Sequence, residues 1–247
     1  MIHVVAPLLN EEGGVLRFLE DLRGRLEGLG CAARLIAVDD GSTDATAEIC
    51  RRASSPSLPI EVVSHPRNLG PGAAFRTGFL RVLEEGQADD LILTLEGDGT
   101  SDLAILPRML RRAREEGDQI VLASCYLYGG GIRGTHLHRV GLSHLANGLM
   151  KKALGLSGLS TLSSFYRLYT LQAVRRMHER WGENFIRSRG FECQVEILYR
   201  AAQLRLPISE VPMVLDNSRR VGGSKMRILR TSLAYLRLSV LALTGGL

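Results

Sequence analysis

The sequence contains only four cysteines, Cys31, Cys50, Cys125 and Cys193, and no two of them form a CxxC pair. A structural zinc site or a disulfide framework needs clustered or paired cysteines, so both are disfavoured and a reducing cytosol is favoured. The opening stretch MIHVVAPLL lacks the basic start of a cleavable signal peptide and is typical of a first strand. No internal repeat and no low-complexity linker divides the chain.

Several common catalytic motifs are missing as well. Neither a GxSxG elbow nor a Walker loop occurs, which disfavours the corresponding hydrolases and nucleotide triphosphatases. The stretch NLGPGAAFRTG resembles a dinucleotide fingerprint only superficially, because Phe75 stands where its third glycine belongs and the stretch does not follow the first strand. His136, His138 and His144 lie close in sequence, but a loop-to-helix surface explains them better than a metal site.

Acidic residues are absent after Asp216, whereas basic residues crowd the same end of a chain whose net charge is +5. These basic residues are Arg219, Arg220, Lys225, Arg227, Arg230 and Arg237. A basic tail suits nucleic acid, anionic lipid or a phosphorylated substrate. No nucleic-acid-binding module accompanies the charge, so we expect no nucleic-acid partner.

The first half of the chain alternates short apolar runs with helical patterns, from IHVVAPL through ARLIAVDD, IEVVSH and DDLILTL to QIVLAS. This alternation predicts an α/β fold with a mostly parallel central sheet and helices on both faces. The second half is less regular. YGGGIRG is predicted to be a loop, Leu137 to Leu154 an amphipathic helix, GFECQVEILYRAAQL a helix and ISEVPMVL a late strand.

Acidic pairs follow two of the predicted strands, Asp39 and Asp40 in VDDGSTDAT, and Glu96 and Asp98 in LEGDGTSD. Turns rich in glycine and aspartate explain such residues without any function, and Ser42 or Thr43 is expected to cap the helix that follows the first pair. Ligands of parallel sheets, however, bind beyond the carboxyl ends of the strands, where both pairs would meet. Glu96 and Asp98 then suit a hard divalent cation that holds a diphosphate.

Taken in order, the segments APLLNEE, VDDGSTDAT, NLGPGAAFRTG, EGDG, YGGGIRG, SRGFECQVEILYRA, EVP and RRVGGSK resemble a known family. From Val4 to about Lys225 the chain is similar to family 2 glycosyltransferases of GT-A fold, most of all to the dolichyl- or polyprenyl-phosphate mannose synthase group. The resemblance implies a sugar transfer with inversion from GDP-mannose or a UDP-hexose to a polyprenyl-phosphate acceptor.

The resemblance also implies roles for residues of this chain. Mg²⁺ or Mn²⁺ would be bound by Glu96 and Asp98. The nucleotide would be bound by Pro7, Leu9, Asn10, Glu11, Asp39, Asp40, Asn68, Gly72 and Gly97. The acceptor would be bound by Arg133, Asn147, Arg167, Arg220 and Ser224. The catalytic set would be Asp98, Arg139, Ser143, Arg219 and Lys225.

Two domains follow from this interpretation: residues 1–218 form the catalytic domain, and residues 219–247 form a basic, amphipathic segment. That segment is too short and too charged for a membrane span, so it is expected to bind a membrane surface, with the enzyme peripheral at the cytoplasmic face.

The chain departs from the family pattern at Leu9, Glu96, Cys125 and the stretch TLSSFYR. These departures leave two alternatives open. One is transfer to a soluble glycan or secondary metabolite, and the other is a non-catalytic relative that binds a nucleotide or a partner protein.

Overall fold

A seven-stranded sheet forms the centre of the protein, and its spatial order is β3-β2-β1-β4-β7-β5-β8. The computed structural model describes residues 1–134, 150–152, 154–221, 228–244 and 246. The strands are β1 Ile2–Leu8, β2 Ala33–Asp39, β3 Ile60–Ser64, β4 Leu91–Thr94, β5 Ile120–Ser124, β6 Gly131–Arg133, β7 Arg167–Thr170, β8 Ile208–Pro212 and β9 Val214–Asp216. The helices are α1 Val15–Gly28, α2 Thr46–Arg52, α3 Pro71–Glu85, α4 Leu106–Glu115, α5 Leu171–Trp181, α6 Cys193–Gln203 and α7 Ile228–Leu243.

Strand β1 lies at the point where the strand order reverses. It pairs in parallel with β2 on one side and with β4 on the other, so that Val5 lies opposite both Ile36 and Thr94. Alternate residues of β1 enter two separate apolar cores: Val5 packs with α3, α5 and α6, whereas Val4 packs with α1, α2 and α4. Helices therefore cover both faces, which agrees with the predicted α/β architecture.

Strand β7 was not predicted. Among the strands of the described residues, it alone in the seven-stranded sheet runs against both of its neighbours. It pairs antiparallel with β4 and with β5, with Arg167 opposite both Thr94 and Leu122. The sheet is therefore mostly rather than wholly parallel. The sequence of β7, RLYT, is polar and aromatic, and it lacks the continuous aliphatic run that identifies the buried parallel strands.

Local predictions were corrected at two places. The stretch YGGGIRG, predicted to be a loop, contains β6, which pairs in parallel with β9 in a separate two-stranded sheet. Neither Ser42 nor Thr43 caps α2; the carboxylate of Asp44 instead accepts the Thr46 N–H at 3.0 Å, while the Ser42 hydroxyl accepts the Asn10 N–H at 2.9 Å. Most of the predicted helix at Leu137–Leu154, with His136, His138 and His144, lies outside the described residues.

The last helix, α7, packs one side against the core formed with α3, α5 and α6. Leu238 and Ala242 are buried there, and the Tyr199 hydroxyl donates to the Ala242 carbonyl at 3.3 Å. Within the part of the chain that the structure describes, no helix has the length and apolar character needed to cross a membrane.

Candidate active site

A crevice of about 980 Å³ opens beyond the carboxyl ends of β1, β2 and β4. Its floor is formed by the residues that follow these strands, and a turn before α3 forms one wall. The loop before α6, which contacts this turn, and helix α7 also line the crevice. The lining residues are Pro7, Leu8, Leu9, Glu11, Asp40, Arg67, Asn68, Leu69, Gly70, Pro71, Glu96, Gly97, Asp98, Phe165, Arg189, Gly190, Phe191, Glu192, Arg220, Val221, Thr231 and Ala234.

Both predicted acidic pairs reach this region, but the two members of the first pair have different positions. Asp40 lines the crevice, whereas Asp39 is buried and accepts the Ser42 N–H at 3.0 Å, an arrangement that shapes the turn after β2. The backbone N–H of Asp40 donates to the Leu8 carbonyl at 2.8 Å, which holds the ends of β1 and β2 together. Asp40 is therefore the member of this pair that lines the crevice.

Glu96 and Asp98 lie together at the end of β4. Burial and the neighbouring charge of Asp98 raise the pKa of the Glu96 carboxyl to about 8. No described residue donates a hydrogen bond to the Glu96 carboxylate, whereas Asp98 Oδ1 accepts from the Thr100 N–H at 3.1 Å and hydroxyl at 2.8 Å. Two adjacent, partly buried carboxylates repel one another, and a cation between them would relieve that repulsion.

This donor set fits a divalent cation. Carboxylate oxygens are the hard ligands that Mg²⁺ and Mn²⁺ prefer, and the glycines on both sides of Asp98 place the carboxylates at an open strand end. A third acidic residue, Glu11, also lines the crevice and contributes to raising the pKa of Glu96. Among the described residues, no cluster of three metal-binding side chains is present, so bound phosphate oxygens and water would have to complete the coordination.

Arg220 brings a positive charge directly onto this acidic pair. Its Nε and Nη2 both donate to Asp98 Oδ2, at 2.7 and 2.6 Å. Two further arginines, Arg67 and Arg189, line the crevice and have exposed side chains. The crevice thus combines carboxylates at its floor with guanidinium groups at its rim, which suits a ligand that carries both a metal-bound diphosphate and other anionic groups.

The turn before α3 closely contacts the loop before α6. The Gly72 N–H donates to the Arg189 carbonyl at 2.8 Å, and a Cβ at Gly72 would lie 1.9 Å from the Ser188 carbonyl oxygen. Gly70 has a φ of +95°, and a Cβ there would lie 2.3 Å from the same Arg189 carbonyl oxygen. Gly72 therefore does not line the crevice outlined by the described residues; it lies where the turn before α3 packs against the loop before α6.

The remaining nucleotide-binding predictions fall in two groups. Pro7, Leu9, Glu11, Asn68 and Gly97 line the crevice together with Asp40. Asn10 lies beside it with a φ of +49°, and its side-chain oxygen accepts the Thr43 N–H at 2.8 Å, so it links the ends of β1 and β2.

The acceptor-binding role predicted for Arg167 is wrong. Its side chain is fully buried, and its guanidinium donates to the carbonyl oxygens of Ser164, Gln194 and Leu162 at 2.7, 2.9 and 2.7 Å. A buried guanidinium requires partners for its donors, and these carbonyls supply them within the protein interior. Arg167 therefore holds the segment before β7 instead of meeting a ligand.

Two other predicted residues, Arg219 and Arg133, lie apart from the crevice. Arg219 pairs with Asp21 at 2.5 Å, and Arg133 lies on β6 opposite Asp216 of β9; neither lines the crevice as the described residues outline it. Arg139, Ser143, Asn147, Ser224 and Lys225 lie outside the described residues. Their predicted roles remain predictions.

The structure adds residues that sequence patterns did not reveal. Phe165 and Phe191 stack with ring centroids 5.5 Å apart and 10° between planes, and both line the crevice. Thr231 and Ala234 of α7 extend this wall. Phe191 and Arg189 lie within the family-like segment SRGFECQVEILYRA, which was a signal for the region but not for these side chains.

Comparisons with known proteins identify related sequences. The model of the family described as glycosyl transferase family 2 matches residues 3–178. Polyprenol monophosphomannose synthase of Mycolicibacterium smegmatis is 28% identical over 224 residues, which cover 90% of this chain and 80% of that protein. Undecaprenyl-phosphate mannosyltransferase of Micrococcus luteus is 30% identical over 205 residues, which cover 82% and 79%.

A solved structure supports the fold independently. Glucosyl-3-phosphoglycerate synthase from Mycobacterium tuberculosis, crystallised with Mn²⁺ and uridine-diphosphate-glucose, superposes with a TM-score of 0.64 over 99% of this chain and 79% of that one, at 19% identity. The predicted GT-A fold is thereby confirmed. The chain belongs to glycosyl transferase family 2.

Proposed function

We propose that this glycosyltransferase moves a sugar, with inversion, from a nucleotide-diphosphate sugar to a polyprenyl phosphate. The observation that carries the proposal is the meeting of Asp40, the pair Glu96 and Asp98, and Arg220 in one crevice. Two relatives that cover about four fifths of this chain or more are named as mannose transferases that use a polyprenyl phosphate. Their names favour a product in which the sugar is linked to the lipid through a phosphate. We propose GDP-mannose or a UDP-hexose as the donor.

Each part of the crevice has a separate task in this proposal. Asp40 and the turn at Asn68 receive the nucleoside, whereas Glu96 and Asp98 bind Mg²⁺ or Mn²⁺ at the diphosphate. A divalent cation there supplies positive charge to the leaving diphosphate. Arg220, which already contacts Asp98, lies close enough to stabilise the same negative charge as it develops.

The acceptor side needs orientation more than activation. A lipid phosphate is already an anion and attacks the anomeric carbon without a general base, so the protein's task is to place it opposite the leaving group. Arg189 at the rim offers a cation for that phosphate, and the stacked Phe165 and Phe191 offer an apolar wall for the first carbons of the lipid. Arg139, Ser143 and Asn147 remain the predicted partners of the acceptor phosphate.

We also place the protein at the cytoplasmic face of a membrane, bound through α7. The side of α7 that faces away from the core exposes Leu233, Leu236, Val240 and Leu243, each 52 to 69% accessible. These residues follow one another at helical spacing and share their side of the helix with Arg237. An apolar stripe with basic neighbours is typical of a helix that lies in an anionic lipid interface.

A transfer assay tests the proposed reaction. Purified protein with Mn²⁺ is given each of GDP-mannose, UDP-glucose and UDP-galactose together with a detergent-dispersed polyprenyl phosphate or, in parallel, with phosphoglyceric acid as a soluble acceptor. We expect a sugar-lipid product with one donor, and its loss on addition of EDTA. Product only with the soluble acceptor would overturn the lipid part of the proposal, and no product with any pair would overturn it as a whole.

The matched variants are Asp98→Asn and Asp89→Asn, which change carboxylates at opposite ends of β4. Asp98→Asn removes a metal ligand and is expected to reduce kcat at least a hundredfold, whereas the exposed Asp89 lies outside the crevice and its variant should behave as the wild type. Equal activity of the two variants would contradict the metal assignment.

A further inference from the structure

A partly buried chain of hydrogen bonds runs from α3 to Asp40. The hydroxyl of Thr77 lies 2.9 Å from Nε2 of His65, and Nδ1 of His65 lies 2.7 Å from Oδ1 of Asp40. The side chains of His65 and Asp40 are 9% and 5% exposed. A carboxylate only accepts, so the shared hydrogen belongs to Nδ1, and the neutral ring can then accept the Thr77 hydroxyl at Nε2.

Asp40 in turn holds the turn that forms one wall of the crevice. Its Oδ1 also accepts the Leu69 N–H at 2.9 Å, and its Oδ2 accepts the Gly70 N–H at 2.8 Å. The two oxygens of a carboxylate offer about four acceptor positions, and these bonds use both positions of Oδ1 and one of Oδ2. One acceptor position of Oδ2 remains, and Asp40 itself lines the crevice.

We infer that His65 and Thr77 are positioning residues for nucleotide recognition: they fix the carboxylate of Asp40 so that its free Oδ2 position meets an N–H or O–H donor of the nucleoside. The inference rests on the proposed function. Neither residue lines the crevice outlined by the described residues, so both act only through Asp40 and the turn. Because the site is arranged before the ligand arrives, binding does not have to order it.

A second histidine–aspartate pair provides a matched control. His3 Nε2 lies 2.8 Å from Asp90 Oδ2, and both side chains are buried, but this pair lies at the opposite end of β1 from the crevice. His3→Gln therefore disrupts a pair of similar geometry and burial without touching Asp40. A purely structural effect of losing a buried histidine should appear in both variants.

The experiment measures binding of UDP and GDP, each with Mn²⁺, by calorimetry, together with the thermal stability of each variant. For the nucleotide that the wild type binds, we expect His65→Gln to raise the Kd about tenfold and Thr77→Val about fivefold. Thr77→Ser, which keeps the hydroxyl, should restore the Kd to within twofold. The KM for the sugar donor should follow the Kd, while kcat at saturating donor changes less than twofold, since Asp40 contacts the part of the donor that does not react.

The outcomes distinguish a failure of the proposed function from a failure of the positioning role alone. If the wild type binds neither nucleotide, the proposed function fails and this inference fails with it. If the wild type binds but His65→Gln and Thr77→Val bind equally well, or if His3→Gln weakens binding as much as they do, only the positioning role is overturned. Should His65→Gln fail to fold, the two Thr77 variants decide the question, because valine keeps the shape of threonine and serine keeps its hydroxyl.

Discussion

Arg220 and Asp98 form a two-pronged ion pair in which both Nε and Nη2 of the arginine donate to one carboxylate oxygen, Oδ2. The other oxygen, Oδ1, is taken by Thr100. The carboxylate that we propose as a metal ligand is therefore already neutralised by a cation of the protein itself. A metal ion has to share Asp98 with Arg220 or displace it.

This competition predicts opposite effects of Arg220→Ala on binding and on turnover. Without the guanidinium, the affinity for Mn²⁺ in the absence of nucleotide should rise about tenfold, corresponding to roughly 1.4 kcal/mol. Turnover should fall, since a charge near the leaving diphosphate is lost. Calorimetric titration with Mn²⁺ and a steady-state assay measure the two effects, with Arg112→Ala, which alters an exposed ion pair on α4, as the control. A Mn²⁺ affinity unchanged by Arg220→Ala would contradict the competition.

We expect the folding stability of the protein to depend on pH because of Glu96. Burial and Asp98 raise its pKa from 4.5 to about 8 in the folded protein, so the folded state holds the proton more tightly than the unfolded state does. Stability should therefore be lost as the pH rises from about 4.5 to about 8. Glu96→Gln removes this loss and should raise the Tm at pH 8.5 by roughly 5 °C in the presence of EDTA, with no gain near pH 4.5.

The control for this effect is Glu115→Gln, because Glu115 is exposed on α4 and does not line the crevice outlined by the described residues. Saturating Mn²⁺ should reverse the order at high pH, since the wild type then gains a metal-bound carboxylate that the variant lacks. A Tm difference that does not vary with pH would show that Glu96 is not held in a proton-binding environment.

The outer side of α7 predicts binding to lipid. The double variant Leu236→Asp, Val240→Asp introduces charge into the middle of the exposed stripe and should lower partitioning onto anionic liposomes more than tenfold, because two apolar contacts are lost and repulsion is added. Co-sedimentation with vesicles measures this effect. Leu16→Asp, on the exposed side of α1, is the control for a charge placed at any exposed leucine. Equal partitioning of all three proteins would exclude α7 as the lipid-binding element.

We expect two glycine substitutions to change the free energy of unfolding in opposite directions. Gly72→Ala forces a Cβ to within 1.9 Å of the Ser188 carbonyl oxygen, so the turn or the loop must move, and the free energy of unfolding should fall by about 3 kcal/mol. Gly24→Ala, within α1, meets no atom within 4 Å and should raise it by up to about 1 kcal/mol. Urea denaturation compares the two. A Gly72→Ala protein as stable as the wild type would mean that the turn before α3 and the loop before α6 are not in close contact.

The sequence predicted the features that depend only on residues that are consecutive in the chain. Strands β2 and β4 are short, largely aliphatic runs, and the two acidic pairs lie at their carboxyl ends. Asp40, Glu96 and Asp98 could therefore be placed at one edge of the sheet in advance. The role of Arg167 could not be judged from its position, because only the fold reveals that three backbone carbonyls surround it. The stack of Phe165 on Phe191 and the link from Thr77 to Asp40 likewise join segments that only tertiary packing brings together.

Helix α7 has two surfaces with different neighbours. Thr231 and Ala234 form part of the crevice wall, whereas Leu236 and Val240 project away from the protein. The surface that we propose to bind lipid and part of the crevice lining therefore belong to the same helix. If α7 binds a membrane as proposed, the crevice lies directly beside the lipid surface, and detachment would remove the protein from its acceptor without any change in the catalytic residues.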